Sequence, residues 1–135
     1  MTAAVDQAVA AVRSGDEAQV EHVLVKLVAA WFDTRPPADA DRDVEALAWE
    51  LARTAETSPA APYDGSGTWY EQAMARLYVS YARARQREQA RNIWQNLTLG
   101  PRLGSRRRAA VASIRLVQVM TALARCHALE QPRAR

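Results

Sequence analysis

Apolar residues recur along this chain at the three- and four-residue spacing of α-helices, and no segment sustains the alternation typical of a half-buried β-strand. The pattern predicts an all-α fold of five or six helices, packed as a compact bundle or as a short array of helical hairpins. The predicted bounds are about 3–13, a second helix from a cap at Ser14 to about Phe32, 40–57, a start near Thr68, and 105–129 for the last helix.

A turn is expected near residues 85–87, because two apolar stripes flank this point. Tyr70, Met74, Leu77, Tyr78 and Tyr81 precede it, and Ile93, Trp94 and Leu97 follow it. In an unbroken helix the two stripes would lie on nearly opposite sides, since each residue turns the helix by about 100°. A turn lets both stripes face one core, although neither glycine nor proline marks it. One long helix that serves two surfaces is the alternative.

Two helices carry apolar side chains where a simple amphipathic helix would not. Trp49 lies off the apolar face of the 40–57 helix, so it packs against a second neighbour or contacts a partner. The last helix is apolar around most of its circumference, apart from a polar strip of Arg107, Arg115, Gln118 and Arg125. Such a helix lies at the centre of a bundle or in an oligomer contact.

The 135 residues suit a single helical domain that divides by charge. We assign an acidic half to residues 1–57, a proline- and glycine-containing loop to 58–67, a basic half to 68–130 and a frayed tail to 131–135. Residues 1–65 carry twelve acidic and five basic side chains, whereas residues 66–135 carry three acidic and thirteen basic ones. This asymmetry indicates either that the two halves neutralise each other or that the chain binds an anionic partner.

Arginines of the basic half form two groups. One group recurs at four-residue spacing on a helix face, where like charges repel: Arg83, Arg87 and Arg91. The other lies in or just before the first turn of the last helix, where cations oppose the helix dipole: Arg102, Arg106, Arg107 and Arg108. These unfavourable arrangements imply an acidic counterpart, which is the chain's own segment 39–50, an acidic segment of another chain, or phosphate.

No residue pattern indicates a catalytic, metal or cofactor site. Cys126 and His127 are adjacent on a helix, so their side chains diverge and do not share one ion. Neither a glycine-rich phosphate-binding motif nor a nucleophile elbow occurs. The single cysteine excludes a disulfide framework and suits a reducing compartment. We therefore expect no enzyme activity, no cofactor, no signal peptide, no membrane-spanning segment and a cytoplasmic location.

Residues of the basic half also follow a recurrent hairpin pattern. Leu77, Tyr81 and Ala90 occupy its characteristic positions, Trp94 matches as an aromatic residue, and Met74, Tyr78, Leu97 and Pro101 match less closely. In these residues the segment of about 70–103 resembles a tetratricopeptide repeat, a helical hairpin of about 34 residues. The resemblance implies peptide or protein binding on a concave helical surface.

These features favour a non-catalytic helical protein-interaction or adaptor module, regulatory in role and self-associating as a homo-oligomer. Trp49 and the apolar last helix are its predicted contacts with another protein or a second copy. The alternative is a nucleic-acid-binding regulator that contacts phosphates through the two arginine groups. In both cases these arginines are the candidate anion- or partner-binding residues.

Overall fold

The computed structural model describes residues 3–55, 69–97 and 108–130. In these ranges the chain forms six α-helices and no strand: α1 (Ala3–Ser14), α2 (Glu17–Thr34), α3 (Pro37–Arg53), α4 (Trp69–Arg83), α5 (Arg87–Asn96) and α6 (Arg108–Glu130). The predicted all-α bundle is confirmed. The predicted loop at 58–67, the caps at Thr68 and Ser105 and the tail at 131–135 lie outside the described residues.

The start of α2 differs from the prediction by two residues. Asp16, rather than Ser14, caps this helix, since its Oδ1 accepts hydrogen bonds from the backbone N–H groups of Ala18 at 3.1 Å and Gln19 at 3.3 Å. Ser14 is instead the last residue of α1. Gly15 lies between the two helices with a φ of 74°, a left-handed conformation that favours glycine.

The bounds of α3 are also shifted, from the predicted 40–57 to Pro37–Arg53. The helix begins earlier because a proline fits its first turn, where the backbone N–H groups have no partner within the helix.

The turn expected near residues 85–87 is confirmed. Its geometry shows how the helix ends there without a glycine or a proline. Arg85 takes a left-handed φ of 61°. The Gln86 N–H donates to the Tyr81 carbonyl at 2.9 Å, and the Arg85 N–H donates to the Ala82 carbonyl at 3.0 Å. This pair of bonds is a Schellman C-cap, in which glycine commonly occupies the position that arginine holds here.

The core contains buried residues of all six helices, with α6 at its centre. This helix packs against α1, α2, α3 and α4, and Leu116, Val119, Met120 and Ala124 are buried. Of the two alternatives for the last helix, a central position is therefore observed, and contacts within the chain explain the apolar circumference that was assigned to a partner. No described helix, α6 included, is long and apolar enough to span a membrane.

The buried face of α4 differs by one residue from the predicted stripe. Of the predicted stripe, Tyr78 is buried and Met74 and Tyr81 are partly buried against the core, whereas Leu77 is exposed and the other buried residues of α4 are Ala75, Val79 and Ala82. A shift of one residue rotates the helix by about 100°. Leu77 is consequently 43% exposed, and its assignment to the core is wrong. The two buried alanines allow α4 to approach its neighbours closely, which the larger apolar side chains would prevent.

An aromatic contact holds α5 against α4. The rings of Tyr78 and Trp94 lie 5.6 Å apart between centroids, tilted by 49°, and both residues are buried. Burial raises the pKa of Tyr78 well above its usual value, and the negative charge of Glu45 adds to this effect. Tyr78 is therefore neutral and structural.

Candidate partner-binding surface

Arginine side chains, rather than close backbone packing, connect α5 to α3, whereas α4 packs on α3 directly and adds the contact of Arg83 at its end. The pair α3 and α5 is not among the closely packed helix pairs of the bundle. Three arginines of α4 and α5 contact residues in or just after α3: Arg83 contacts Ala55, Arg87 contacts Trp49 and Arg91 contacts Glu45. Arginines with higher residue numbers contact residues with lower numbers in and just after α3. The segment 83–91 therefore runs antiparallel to the segment 45–55.

Two of these contacts are hydrogen bonds. Arg83 Nε donates to the Ala55 carbonyl at 2.7 Å, just beyond the end of α3. Arg91 Nε donates to Glu45 Oε2 at 3.3 Å, in an ion pair in which the Glu45 side chain is only 13% exposed and the Arg91 side chain is 54% exposed. Glu45 is thus largely enclosed, whereas Arg91 stays accessible.

The third contact places a guanidinium over an aromatic ring. Arg87 Cζ lies 4.5 Å from the centroid of the Trp49 ring, at cation–π distance. Trp49 is half-buried and also packs against the core, so of the two alternatives left open by its off-face position, a second neighbour within the chain is present. Among the described residues, Arg87 has no ion pair with a carboxylate. It is exposed on α5.

An open groove of about 660 Å³ lies between α3 and α5. Its lining contains four arginines, three carboxylates and one alanine: Arg35, Arg42, Arg87, Arg91, Asp39, Asp43, Glu45 and Ala46. We call it the arginine–tryptophan groove, because two of its arginines lie over the tryptophans Trp31 and Trp49. Its described side chains carry one positive charge in excess.

The end of the groove near α2 is more fully paired. Arg35 Cζ lies 4.6 Å from the Trp31 ring centroid, and Arg35 Nη1 donates to Asp43 Oδ2 at 2.6 Å. Arg42 forms an ion pair with Asp39, one turn away on the same helix. Sequence reasoning missed the Trp31–Arg35 contact, although four residues separate the pair and such residues are neighbours on a helix.

Arg115 of α6 lies near one of the acidic residues of the groove, Glu45, and near Asp41. Arg115 Nη2 donates to the Gln95 carbonyl at 3.0 Å, whereas its buried Nε has no hydrogen-bond partner among the described residues. Burial lowers the pKa of Arg115, and the charges of Asp41 and Glu45 oppose this decrease. Glu45 therefore stabilises positive charge on two sides, at Arg91 and at Arg115.

The side chains of the second predicted arginine group are not among those that the structure describes. Arg102, Arg106 and Arg107 lie outside the described residues, and Arg108 is the first residue of α6 with an undescribed side chain. Of the predicted site, the structure brings Arg83, Arg87 and Arg91 together with Trp49, on the acidic helix α3. Their role in binding a partner stays a prediction.

Within the described part of the chain, no three histidine, cysteine or acidic side chains lie close enough to hold a metal ion. Comparison of the chain with family models, with curated proteins and with solved structures gives no match. The resemblance to a tetratricopeptide repeat therefore rests on the residue pattern alone, and the exposed Leu77 departs from that pattern.

Proposed function

We propose that the chain is a non-catalytic protein-interaction module, an adaptor that binds an acidic segment of another protein in the arginine–tryptophan groove. The observation that supports this most is the position of Arg87, which is exposed at the groove, lies over Trp49 and has no ion pair with a described carboxylate. Arginine and tryptophan are also enriched among the residues that dominate the binding energy of protein interfaces.

The chemistry of the groove suits carboxylates. Stacking on a ring uses the face of the guanidinium and leaves its N–H donors for hydrogen bonds, which fit a carboxylate in a two-pronged geometry. Arg91 is more than half exposed and holds Glu45 by a single contact of 3.3 Å, so a second carboxylate has access to it. An acidic segment that contacts Arg87 and Arg91 would neutralise the excess charge.

The alternative of nucleic-acid binding needs a continuous basic surface that faces several phosphates. Arg83, Arg87 and Arg91 each contact α3, and three carboxylates line the groove beside Arg87 and Arg91, so these arginines form no such surface by themselves. This alternative consequently depends on Arg102 and Arg106–Arg108. It also makes a clear prediction, since binding to random duplex DNA should weaken by orders of magnitude between about 50 and 200 mM salt. We expect no such binding by the full chain.

Self-association, a regulatory role and a cytoplasmic location belong to the same proposal. Self-association needs a surface other than the core side of α6, because that side contacts four helices of the same chain. The lone Cys126 supports a reducing compartment.

Site-specific photo-cross-linking tests the proposed function. Ala46 lines the groove and is exposed, so a photoreactive amino acid placed there samples whatever binds. In the cells that naturally express the full chain, we expect a defined cross-linked protein that disappears when Arg87→Glu is added. Ala29, exposed on α2 and outside the groove, is the matched control position. A product with a second copy of the chain would identify the partner as the chain itself.

Two results would contradict the proposed function. One is cross-linking at Ala46 that does not exceed cross-linking at Ala29. The other is cross-linking to nucleic acid alone.

A further inference from the structure

A second open groove, of about 580 Å³, runs between α1 and α2. We call it the α1–α2 groove. One wall is a row on α1: Gln7, Ala10 and Ser14. The other wall is a row on α2: Gln19, His22, Lys26 and Ala30. Ala11, Val23 and Leu27 also line it, and two of these, Ala11 and Leu27, are only 4% exposed. None of these residues belongs to the arginine–tryptophan groove.

The two walls are straight because their residues follow the spacing of one helix face. Gln7, Ala10 and Ser14 are separated by three and four residues, as are Gln19, His22 and Lys26. The wall on α2 extends from Gln19 to Ala30, which corresponds to about 16 Å at 1.5 Å per residue. This length accommodates about three turns of another helix.

The shape and lining of the groove favour an α-helix as its occupant. Ala10 and Ala30 are small and exposed, so the backbone of a third helix can approach both walls. No described lining residue is aromatic, as binding of a polyproline segment would require, and no strand edge is present to bind an extended peptide. The groove is open along its length, so it would leave a small molecule exposed to water.

The charge of the groove favours an acidic helix as its occupant. Its ionisable lining residues are His22 and Lys26, one turn apart on α2, and none of its described lining residues is acidic. Lys26 is the only lysine of the chain. Neither side chain has an ion pair within the described residues. A helix with carboxylates spaced by one turn would therefore meet unpaired basic groups above the apolar residues Val23 and Leu27.

We infer that the α1–α2 groove binds an acidic amphipathic α-helix of another protein. The apolar face of that helix packs on Val23 and on the exposed alanines Ala10 and Ala30, and its carboxylates pair with Lys26 and lie beside His22. The inference extends the proposed protein-interaction function to a second surface. It involves neither Arg87 nor Trp49, so each of the two proposals can fail alone.

The test uses two synthetic helical peptides of about 14 residues, which span about 21 Å. Both carry leucines on one face, and the flanking positions are glutamates in one peptide and lysines in the other. Titrated into the isotope-labelled full chain, the glutamate peptide should shift NMR amide signals of α1 and α2, and the lysine peptide should not bind. Lys26→Glu should weaken binding of the glutamate peptide by about fivefold, the effect of reversing one exposed charge.

A matched pair of substitutions locates the binding site. Ala10→Phe fills the groove and should abolish binding of the glutamate peptide. Ala29→Phe places the same side chain on an exposed position of α2 that does not line the groove, and should change the affinity by less than about twofold. Amide spectra of both variants establish that each remains folded.

Three results would overturn the inference: equal binding of the two peptides, shifted amides confined to other helices, or equal loss of binding in Ala10→Phe and Ala29→Phe. Shifts confined to α3 and α5 that disappear with Arg87→Glu would overturn it while supporting the proposed function of the arginine–tryptophan groove.

Discussion

Arg87 lies over the ring of Trp49, with its Cζ 4.5 Å from the ring centroid, and is the middle one of three arginines that connect α4 and α5 to α3. The predicted row on a single helix face is wrong, because Arg83 ends α4 and Arg87 begins α5 after the turn, so only Arg87 and Arg91 share a helix on which like charges repel. In the bundle each one meets a different acceptor, which is a carbonyl for Arg83, an aromatic ring for Arg87 and a carboxylate for Arg91. All three positive charges are therefore accommodated by contacts within the fold.

The Arg87–Trp49 contact should be measurable as a coupling energy. In a double-mutant cycle with Arg87→Gln and Trp49→Leu, we expect a coupling of about 0.5–1 kcal/mol in the free energy of unfolding, the size of an exposed cation–π pair. Urea denaturation of the wild type, both single variants and the double variant gives this value. A coupling below about 0.2 kcal/mol would show that Arg87 and Trp49 contribute to stability independently.

Glu45 should matter more for stability than its partner Arg91. Glu45→Gln removes a largely enclosed carboxylate and leaves the half-buried Arg115 with less compensating charge, so we expect a loss of about 1–2 kcal/mol. Arg91→Gln removes the exposed member of the pair and should cost less than about 0.5 kcal/mol. Urea denaturation at neutral pH compares the two variants, and equal losses would contradict the role of Glu45 between two arginines.

Periodicity predicted the helices and the central place of α6, because both follow from the local spacing of apolar residues. It misplaced the buried face of α4, since the positions that decide it, Ala75 and Ala82, are small and carry little weight in a hydrophobic pattern. The off-face position of Trp49 predicted either a second neighbour within the chain or a contact with a partner, and the structure shows a neighbour, Arg87. The identity of the side chain that contacts Trp49 depends on how α5 packs near α3. The spacing of residues within one helix does not contain this tertiary information.

The left-handed conformation of Arg85 gives a third prediction. A residue with a side chain in this conformation costs about 1–2 kcal/mol relative to the right-handed region, and glycine avoids this cost. After allowing for the greater flexibility of glycine in the unfolded chain, we expect Arg85→Gly to stabilise the protein by about 0.5–1 kcal/mol. Arg85→Val should destabilise it, because a branched side chain fits this conformation poorly. Thermal unfolding of the wild type and both variants checks the expected order of stability, which is glycine above arginine above valine at position 85. A stabilising effect of Arg85→Val would contradict this order.

Gln118 gives a prediction about the interior. It lines a cleft of about 160 Å³ with Gln72 of α4 and with Arg125, which donates to Glu17 at 2.8 Å. The buried Oε1 of Gln118 has no hydrogen-bond donor among the described residues. A buried acceptor without a donor costs about 1–3 kcal/mol, so Gln118→Met, which keeps the volume and removes the oxygen, should stabilise the protein by about 1 kcal/mol.

The matched control for Gln118→Met is Gln95→Met at an exposed position of α5, which should change the free energy of unfolding by less than about 0.5 kcal/mol. Urea denaturation compares both variants with the wild type. A loss of more than about 1 kcal/mol in Gln118→Met alone would mean that Oε1 accepts a hydrogen bond in solution. In that case the polar strip of α6 would stabilise the bundle at Gln118 as it does at Arg125, whose guanidinium connects α6 to α2 and α4.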